Sequence, residues 1–317
     1  MPREGIPRMF RRFIPALVIA MTASCSPATR ATGPAVRIAH LGRPGAAADL
    51  ARIRAAFAHG NPGYELDYAP ELDGLAADGR PRIAFVQSGA GAATVAGEST
   101  ELAMGDIVLL RPGESLADDG RHSAVVFTVT DPLPPSLPTF IRPDWDPAIT
   151  DTPGGCAEET GAYRRILLTW LDTVGPYVYH GLNAHRVRIV DSFSHYHPVE
   201  GGFDELYLVQ MALPGAKLYT SERTESIENP DSVTRAEAAT LLDEHPLAVG
   251  DLVYLPRGTV HRGFGGALVQ VITVPGFRPG AELGVDHLLR EINERLGLTG
   301  EEALPFHAAA AGERVVK

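Results

Sequence analysis

The sequence predicts an all-β protein with minor helices, built as two tandem β-barrels. The 33 glycines and 26 prolines among 317 residues favour short elements joined by turns over long helices. From Arg82 onward, runs of β-forming residues alternate with Gly-rich turns. A strand-and-turn segment also recurs, as GDIVLLRPG from Gly105 to Gly113 and as GDLVYLPRG from Gly250 to Gly258. Recurrence of such a unit, in order, predicts a duplicated β-domain.

The bulk composition is that of a folded protein long enough for two domains. Hydrophobic residues make up 44% of the chain and charged residues 21%. The formal net charge is −11, and no stripe of Lys and Arg interleaved with aromatics is present. Because a nucleic-acid partner requires cations that neutralise phosphates, this class of function is not expected.

Residues 1–25 are typical of an export signal. Four arginines precede the apolar run Phe13 to Met21, which is too short to span a bilayer. The following Thr22 to Cys25, TASC, resembles a bacterial lipobox, although Thr22 stands where that pattern usually has Leu. An ordinary cleaved signal is the alternative, and the Arg11-Arg12 pair is a weak match to a twin-arginine signal. We expect a protein of the periplasm or cell envelope, attached to a membrane only through a lipid on Cys25.

The N-terminal part of the mature chain is predicted as a flexible tether, residues 26–35, followed by a domain at 36–130. Val36 to Leu41 is a candidate strand, and Ala46 to His59 has the apolar spacing of a helix that ends at Gly60. Five strand-like segments follow, each bounded by turn residues: IAFVQ, ATVAG, TELAM, DIVLL and AVVFTVT. These strands are the predicted first barrel.

Residues 131–155 contain seven prolines and are predicted to link the two domains without regular structure. The second barrel is placed at 156–280, beginning with a helix from Glu158 to Leu171. A tail at 281–317 carries an amphipathic helix from Ala281 to Leu296. Cys156 has no partner if Cys25 is acylated or removed, so no disulfide is expected.

The candidate metal ligands lie in the second half. Strand residues alternate between two faces, so His195 and His197 should project together. Glu205 begins the next predicted strand, and the bend at Pro256 and Gly258 should bring His261 into the barrel mouth. Three imidazoles and one carboxylate suit Fe(II), Mn(II), Ni(II), Cu(II) or Zn(II), so one divalent transition metal is the expected cofactor.

These segments resemble the two motifs of the cupin superfamily. Residues 250–261, GDLVYLPRGTVH, are similar to GDxVxxPxGxxH, and residues 191–206, DSFSHYHPVEGGFDEL, are similar to G-x5-H-x-H-x3,4-E-x6-G. Seven residues, rather than three or four, separate His197 from Glu205, so Glu200 and Asp204 remain rival carboxylates. The resemblance to bicupins runs from about Arg80 to Pro275. It implies two tandem cupin barrels of the jelly-roll, or double-stranded β-helix, type.

The first half lacks the predicted ligands. Aligning the two halves places Arg82 opposite Glu205, Leu116 opposite His261, and Leu72 and Gly74 opposite His195 and His197. The first barrel is therefore predicted to be degenerate and to bury a sheet edge against the second.

No hydrolase elbow, phosphate-binding loop or dinucleotide fingerprint is present, so any chemistry is expected at the metal. The resemblance, taken together with the export signal at residues 1–25, favours an exported metal-dependent oxidoreductase, an Fe(II) or Mn(II) dioxygenase or oxidase acting on a small polar substrate. A redox-neutral lyase, decarboxylase or isomerase is one alternative, and a non-enzymatic envelope lipoprotein that binds a small ligand or metal is another. Tyr207 could donate a hydrogen bond to a substrate oxyanion or simply pack in the barrel, and His180 and His185 are candidate pocket residues. A homodimer is expected by resemblance only.

Overall fold

The computed structural model describes residues 35–154 and 161–317, which belong to one compact unit, Gly33–Lys317. The predicted export signal with Cys25 lies outside the described residues, as do Cys156 and the first residues of the helix predicted from Glu158. Within the described ranges, none of the helices combines the length and the apolar character needed to cross a membrane.

In the N-terminal half, the described residues form nine strands and one α-helix. They are β1 (Arg37–His40), α1 (Ala46–Gly60), β2 (Glu65–Ala69), β3 (Arg82–Ser88), β4 (Gly91–Val95), β5 (Glu98–Leu102), β6 (Ile107–Leu110), β7 (Leu116–Asp118), β8 (Ser123–Thr128) and β9 (Phe140–Ile141). A five-stranded sheet, β2-β8-β3-β6-β9, and a three-stranded sheet, β5-β4-β7, enclose an apolar core.

Residues 161–317 of the C-terminal half contribute nine further strands and three α-helices. They are β10 (Arg164–Leu168), β11 (Asn183–Asp191), β12 (His195–Tyr196), β13 (Asp204–Ala212), β14 (Lys217–Ser221), α2 (Thr224–Glu228), α3 (Arg235–Ala238), β15 (Asp243–Pro246), β16 (Asp251–Leu255), β17 (Val260–Val274), β18 (Leu283–Gly284) and α4 (Asp286–Leu296). Together with β1 they make one ten-stranded sheet, whose main path is β1-β16-β13-β17-β11-β10. The predicted fold class, all-β with two jelly-roll barrels and minor helices, is confirmed.

The two halves repeat the same strand register. In β3, Arg82 pairs with Leu110 and Thr128, and in β13, Glu205 pairs with Leu255 and Thr273. These partners are the residues that the sequence repeat aligns. A register shift follows Val86 in β3 and Val209 in β13 at matching positions. The GDxV turns also match, because the amide N–H groups of Gly105 and Gly250 donate to the carbonyl oxygens of Val86 and Val209.

The barrels pack through sheet faces, whereas the sequence suggested a buried edge. Along β3, Ile83 and Phe85 point into a central cluster shared by both halves, and Ala84 and Val86, which alternate with them, point into the N-terminal barrel. Along β13, Leu206 and Leu208 enter the same central cluster, and Tyr207 and Val209 fill the C-terminal barrel. The strands bury both faces, which excludes water from the seam between the barrels.

Helix α1 closes this central cluster. Its Ile53 and Phe57 are fully buried. The ring of Phe57 meets Phe127 of the first barrel edge-on at 5.7 Å and Tyr254 of the second at 6.2 Å. The helix therefore contacts both barrels through one aromatic side chain.

Four local expectations were wrong or incomplete. The helix predicted at 158–171 is replaced, from Arg164 onward, by strand β10, because pairing with β11 overrides the amphipathic pattern. The Pro-rich linker contains β9, which pairs with β6. Helix α4 begins at Asp286, after the short strand β18. Strand β1 was assigned to the N-terminal domain but pairs with β16 of the C-terminal barrel.

Replacing Phe57 with Ala should lower the free energy of unfolding by about 3–5 kcal/mol, because a buried aromatic contact between the barrels becomes a cavity. Urea denaturation followed by circular dichroism measures the change. Val249→Ala is the control, since Val249 is 53% exposed and its truncation should change stability by less than about 0.5 kcal/mol. Equal effects of the two substitutions would contradict the assigned role of α1.

Candidate metal centre

Four side chains from three strands and one loop meet inside the C-terminal barrel. His195, His197, Glu205 and His261 are all buried, and one ligand atom from each lies within 4.8 Å of the others. The Nε2 atoms of His197 and His261 lie 3.1 Å and 3.7 Å from Glu205 Oε2. Within the described residues this is the one cluster of its kind.

Local strand geometry brings the histidines together. His195 of β12 pairs directly with His261 of β17, and their ring centroids are 4.2 Å apart. Before His261, the chain turns at Gly258, whose φ of +88° lies in the left-handed region that glycine adopts readily. The Gly258 amide donates to the carbonyl oxygen of His197 at 2.6 Å, which ties the turn to the loop that carries this ligand.

Two of the rings are oriented by backbone carbonyl groups. His195 Nδ1 lies 3.2 Å from the Phe193 carbonyl oxygen, and His261 Nδ1 lies 3.0 Å from that of Thr259. A proton on each Nδ1 can be donated to these oxygens, which leaves the Nε2 lone pair directed at the cluster. The buried Nε2 atoms of His197 and His261 both face Glu205 Oε2, and neither makes a hydrogen bond of good geometry there or elsewhere. Because such atoms are costly to bury, an ion in the cluster fits the observed donor set.

The local electrostatics favour the deprotonated, metal-binding form of His195 and Glu205. Burial lowers the pKa of His195 well below its ordinary value, and the charges of His261 and His197 lower it further. Burial by itself would raise the pKa of Glu205, but its interactions with His197 and His261 hold that pKa well below the usual range. A neutral imidazole and an ionised carboxylate are the forms that bind metals.

The geometry shows which of the three candidate carboxylates, Glu205, Asp204 or Glu200, belongs to the cluster. Asp204 points to the opposite face of β13, where it accepts hydrogen bonds from Asn61 (2.6 Å), Tyr254 (2.7 Å) and the Nε of Arg257 (2.8 Å). Glu200 lies exposed in the preceding turn. Of the three acids, Glu205 is the one that lies in the cluster.

Apolar residues occupy the corresponding region of the N-terminal barrel. Leu116 and Leu72 are buried in its core. Leu116 exchanges backbone hydrogen bonds with Gly74 and Leu75, so Leu75 rather than Leu72 lies beside the counterpart of His261. Among the described residues of this half, no group of potential metal ligands is found, and the degenerate character of the barrel stays a prediction.

A cavity of about 270 Å³ borders His195 and Glu205. Its other lining residues come from β10 and the segment just after it, from β11, from β17 and the loop that follows, and from the C-terminal tail: Arg164, Ile166, Leu168, Trp170, Asn183, Ala184, His185, Thr273, Phe277, Pro279, Glu282 and Lys317. A small organic molecule fits such a volume. The cluster is therefore reachable from one side rather than sealed.

The candidate pocket residues have different positions. His185 lines the cavity, whereas His180 is exposed. Tyr207 is buried in the barrel core, with its ring edge-on to His261 at 6.3 Å, and it is absent from the cavity lining. This position matches the packing alternative, and a catalytic role for Tyr207 stays a prediction.

Sequence reasoning missed the cavity wall formed by β10. Arg164, Ile166 and Leu168 of β10, and Trp170 just after it, are spaced by two residues. This is the period of one face of a strand, and it could have indicated a strand here from the sequence. No motif indicated Glu282 or Lys317, because they reach the cavity through the pairing of β18 with the tail, where Leu283 lies opposite Val316.

Neither a family model nor a curated protein matches the chain. Among solved structures, it is similar to AerE from Microcystis aeruginosa, with a TM-score of 0.42 and 12% identity over 67% of this chain and 86% of that chain. It is also similar to Ylba from E. coli, with a TM-score of 0.41 and 11% identity over 67% and 75%. For an oxalate decarboxylase of Bacillus subtilis, described with Mn(II) centres, the TM-score is 0.42 and the identity 13% over 81% and 78%. At values this low, the interpretation of the site rests on the geometry of this chain.

Replacing His261 with Ala should reduce bound divalent metal from about one ion per chain to a trace, because one of four ligands is lost. Elemental analysis of the purified protein measures the content. His59→Ala is the matched control, since His59 is exposed at the end of α1, far along the chain from the cluster. Unchanged metal content in His261→Ala would refute the assignment, provided that circular dichroism shows a folded protein.

Proposed function

We propose that the C-terminal barrel holds one divalent transition metal through His195, His197, Glu205 and His261, and that the chain is a metal-dependent enzyme of the bicupin type. The observation that carries this proposal is the convergence of three buried imidazoles and one ionised carboxylate beside a cavity. The N-terminal barrel, with leucines in the corresponding region, has a packing role in this proposal.

The donor set of three nitrogens and one oxygen suits Fe(II) or Mn(II), and also Ni(II), Cu(II) or Zn(II). When bound, such an ion would supply Lewis-acid chemistry and, for iron or manganese, redox chemistry. Since the cavity borders His195 and Glu205, a substrate has access from that side. Structural metal sites are closed, so this access favours a catalytic site over a structural one.

Two phenylalanines would hold the metal-binding side chains in place and shield them from water. The ring of Phe193 stacks on His195 with centroids 4.4 Å apart, and Phe203 packs against His197 at 4.0 Å. Both phenylalanines are fully buried. They exclude water from the outer sides of the imidazoles, which strengthens electrostatic interactions within the site.

The leading candidate reaction is oxidation of a small polar substrate by a dioxygenase or oxidase, as the metal set suggests. A redox-neutral lyase, decarboxylase or isomerase is the second candidate, and Glu282 supports it. Burial and the charge of Glu205 raise the pKa of this cavity residue to about 7, so its carboxyl group could exchange protons with a substrate near neutral pH. Export, with a lipid on Cys25, remains part of the proposal on the basis of residues 1–25.

Metal analysis combined with turnover assays would distinguish these reactions. The purified full chain would be analysed for metal and then tested for O₂ uptake with catechols, flavonols, thiols and small acids. Stoichiometric iron or manganese with substrate-dependent O₂ uptake would select the oxidative reaction. Product formation under argon would select the redox-neutral one. Bound metal without turnover would leave a non-enzymatic binding protein.

The metal should be retained at neutral pH and released on acidification, because protons compete for three imidazoles and a carboxylate. The pKa values of His195 and Glu205 are lowered, so these ligands stay deprotonated. Burial would lower the pKa of His261, but its interaction with Glu205 raises it, so His261 is the ligand that protons reach first. Release should therefore occur below about pH 6.5. Metal content after dialysis at a series of pH values measures it, with circular dichroism to separate release from unfolding. Full retention at strongly acidic pH would argue against a histidine-rich site.

A further inference from the structure

The cavity beside the cluster contains polar atoms that the proposed metal does not use. Arg164 Nε, His185 Nε2 and Thr273 Oγ1 are each buried without a hydrogen-bond partner. All three residues line the cavity that borders His195 and Glu205. Buried polar atoms without partners are rare and costly, so three of them around one cavity indicate a site shaped for a polar ligand.

These atoms are placed together by adjacent strands. Strand β17 pairs with β11, and β11 pairs with β10. Thr273 lies directly opposite Glu205 across the β13–β17 pair. His185 lies opposite Ile166, another cavity residue, across the β10–β11 pair. The unpartnered groups thus belong to the rigid barrel wall rather than to loops.

The charges around the cavity favour an anion. Arg164 and Lys317 are the cationic residues of its lining, and Glu205 and Glu282 are the acidic ones. A divalent ion in the cluster would make the site positive overall. Burial and the charge of Arg164 lower the pKa of His185 to about 3, so its ring is neutral at physiological pH and can donate one hydrogen bond.

The remaining wall is apolar. Ile166 and Leu168 lie on the same face of β10 as Arg164. Next to them, the rings of Trp170 and Phe277 stack with centroids 4.1 Å apart. A ligand that fills the cavity therefore needs an apolar body, which packs against this wall, as well as an anionic group.

We propose that this cavity binds a small organic monocarboxylate, with its oxygens accepting hydrogen bonds from Arg164, His185 and Thr273. Its apolar body lies against the stacked pair Trp170 and Phe277. A monoanion is favoured over a phosphate dianion because Glu205 and Glu282 border the same space. The inference rests on the proposed function, since it names the class of substrate for the proposed metal centre.

Matched carboxylates and amides test the charge preference. The probes are acetate, cyclohexanecarboxylate, benzoate and 3-phenylpropionate, each with its primary amide, and inorganic phosphate. Titration calorimetry on the metal-loaded full chain should give Kd values at least about 10-fold lower for the cyclic carboxylates than for their amides. Amides that bind as well as the acids, or phosphate that binds tighter than every carboxylate, would overturn the proposal. So would the absence of binding by all four acids.

Substitutions on β10 and β17 test the assigned residues. Arg164→Gln should weaken carboxylate binding about 10-fold or more and leave amide binding unchanged, and Thr273→Val should weaken it about 5-fold. Arg165→Gln is the control, because the Arg165 guanidinium lies against Asp151 and Asp144 and outside the cavity lining. Equal effects of Arg164→Gln and Arg165→Gln would refute the assignment.

The metal is measured separately on every variant. If the wild-type chain took up no metal, the proposed function would be wrong, but this result would not bear on the carboxylate ligand. The same titrations on metal-free protein would still decide the ligand class, since the preference for acids over amides should persist there and depend on Arg164. Loss of that preference in metal-free protein would overturn the inference about the carboxylate ligand and would leave the proposed metal site unaffected.

Discussion

The two-residue period of β13 is the constraint on which both the metal centre and the barrel interface depend. From Glu205 to Val209, the odd-numbered residues of this strand face the interior of the C-terminal barrel. Leu206 and Leu208, which alternate with them, point into the seam between the barrels. A shift of one residue would expose the leucines to the polar cluster and remove the carboxylate from it. Apolar packing in the seam therefore fixes the register that places the ligand.

The sequence was sufficient for features that depend on short spacing. His195 and His197 are two residues apart, and the repeated GDxV turns define equivalent hairpins, so the ligands and the duplication could be predicted. Features that depend on distant pairing could not. Strand β1 joins β16, more than two hundred residues away, and β10 becomes a strand only because β11 pairs with it. The choice of Glu205 over Asp204 also required knowledge of which face of β13 is turned inward.

Buried histidines in the two barrels differ in how their ring nitrogens are satisfied. In the N-terminal barrel, His122 has Nδ1 2.6 Å from Asp118 Oδ1 and Nε2 3.2 Å from the Leu102 carbonyl oxygen. Both nitrogens have a protein partner, so this residue is explained by packing and hydrogen bonding. His197 and His261 instead direct a buried Nε2 at the shared Glu205 Oε2, and neither makes a hydrogen bond of good geometry with it. The contrast separates a structural imidazole from one available as a ligand without reference to any motif.

The pairing of the tail with β18 has a practical consequence for work on this protein. The backbone of Lys317 forms hydrogen bonds with Gly280 and Glu282 and ends beside the cavity. A polyhistidine tag attached after Lys317 would thus begin beside the cavity and bring additional metal-binding side chains close to it. A tag inserted in the exposed turn at Ala96 and Gly97, between β4 and β5, avoids this position.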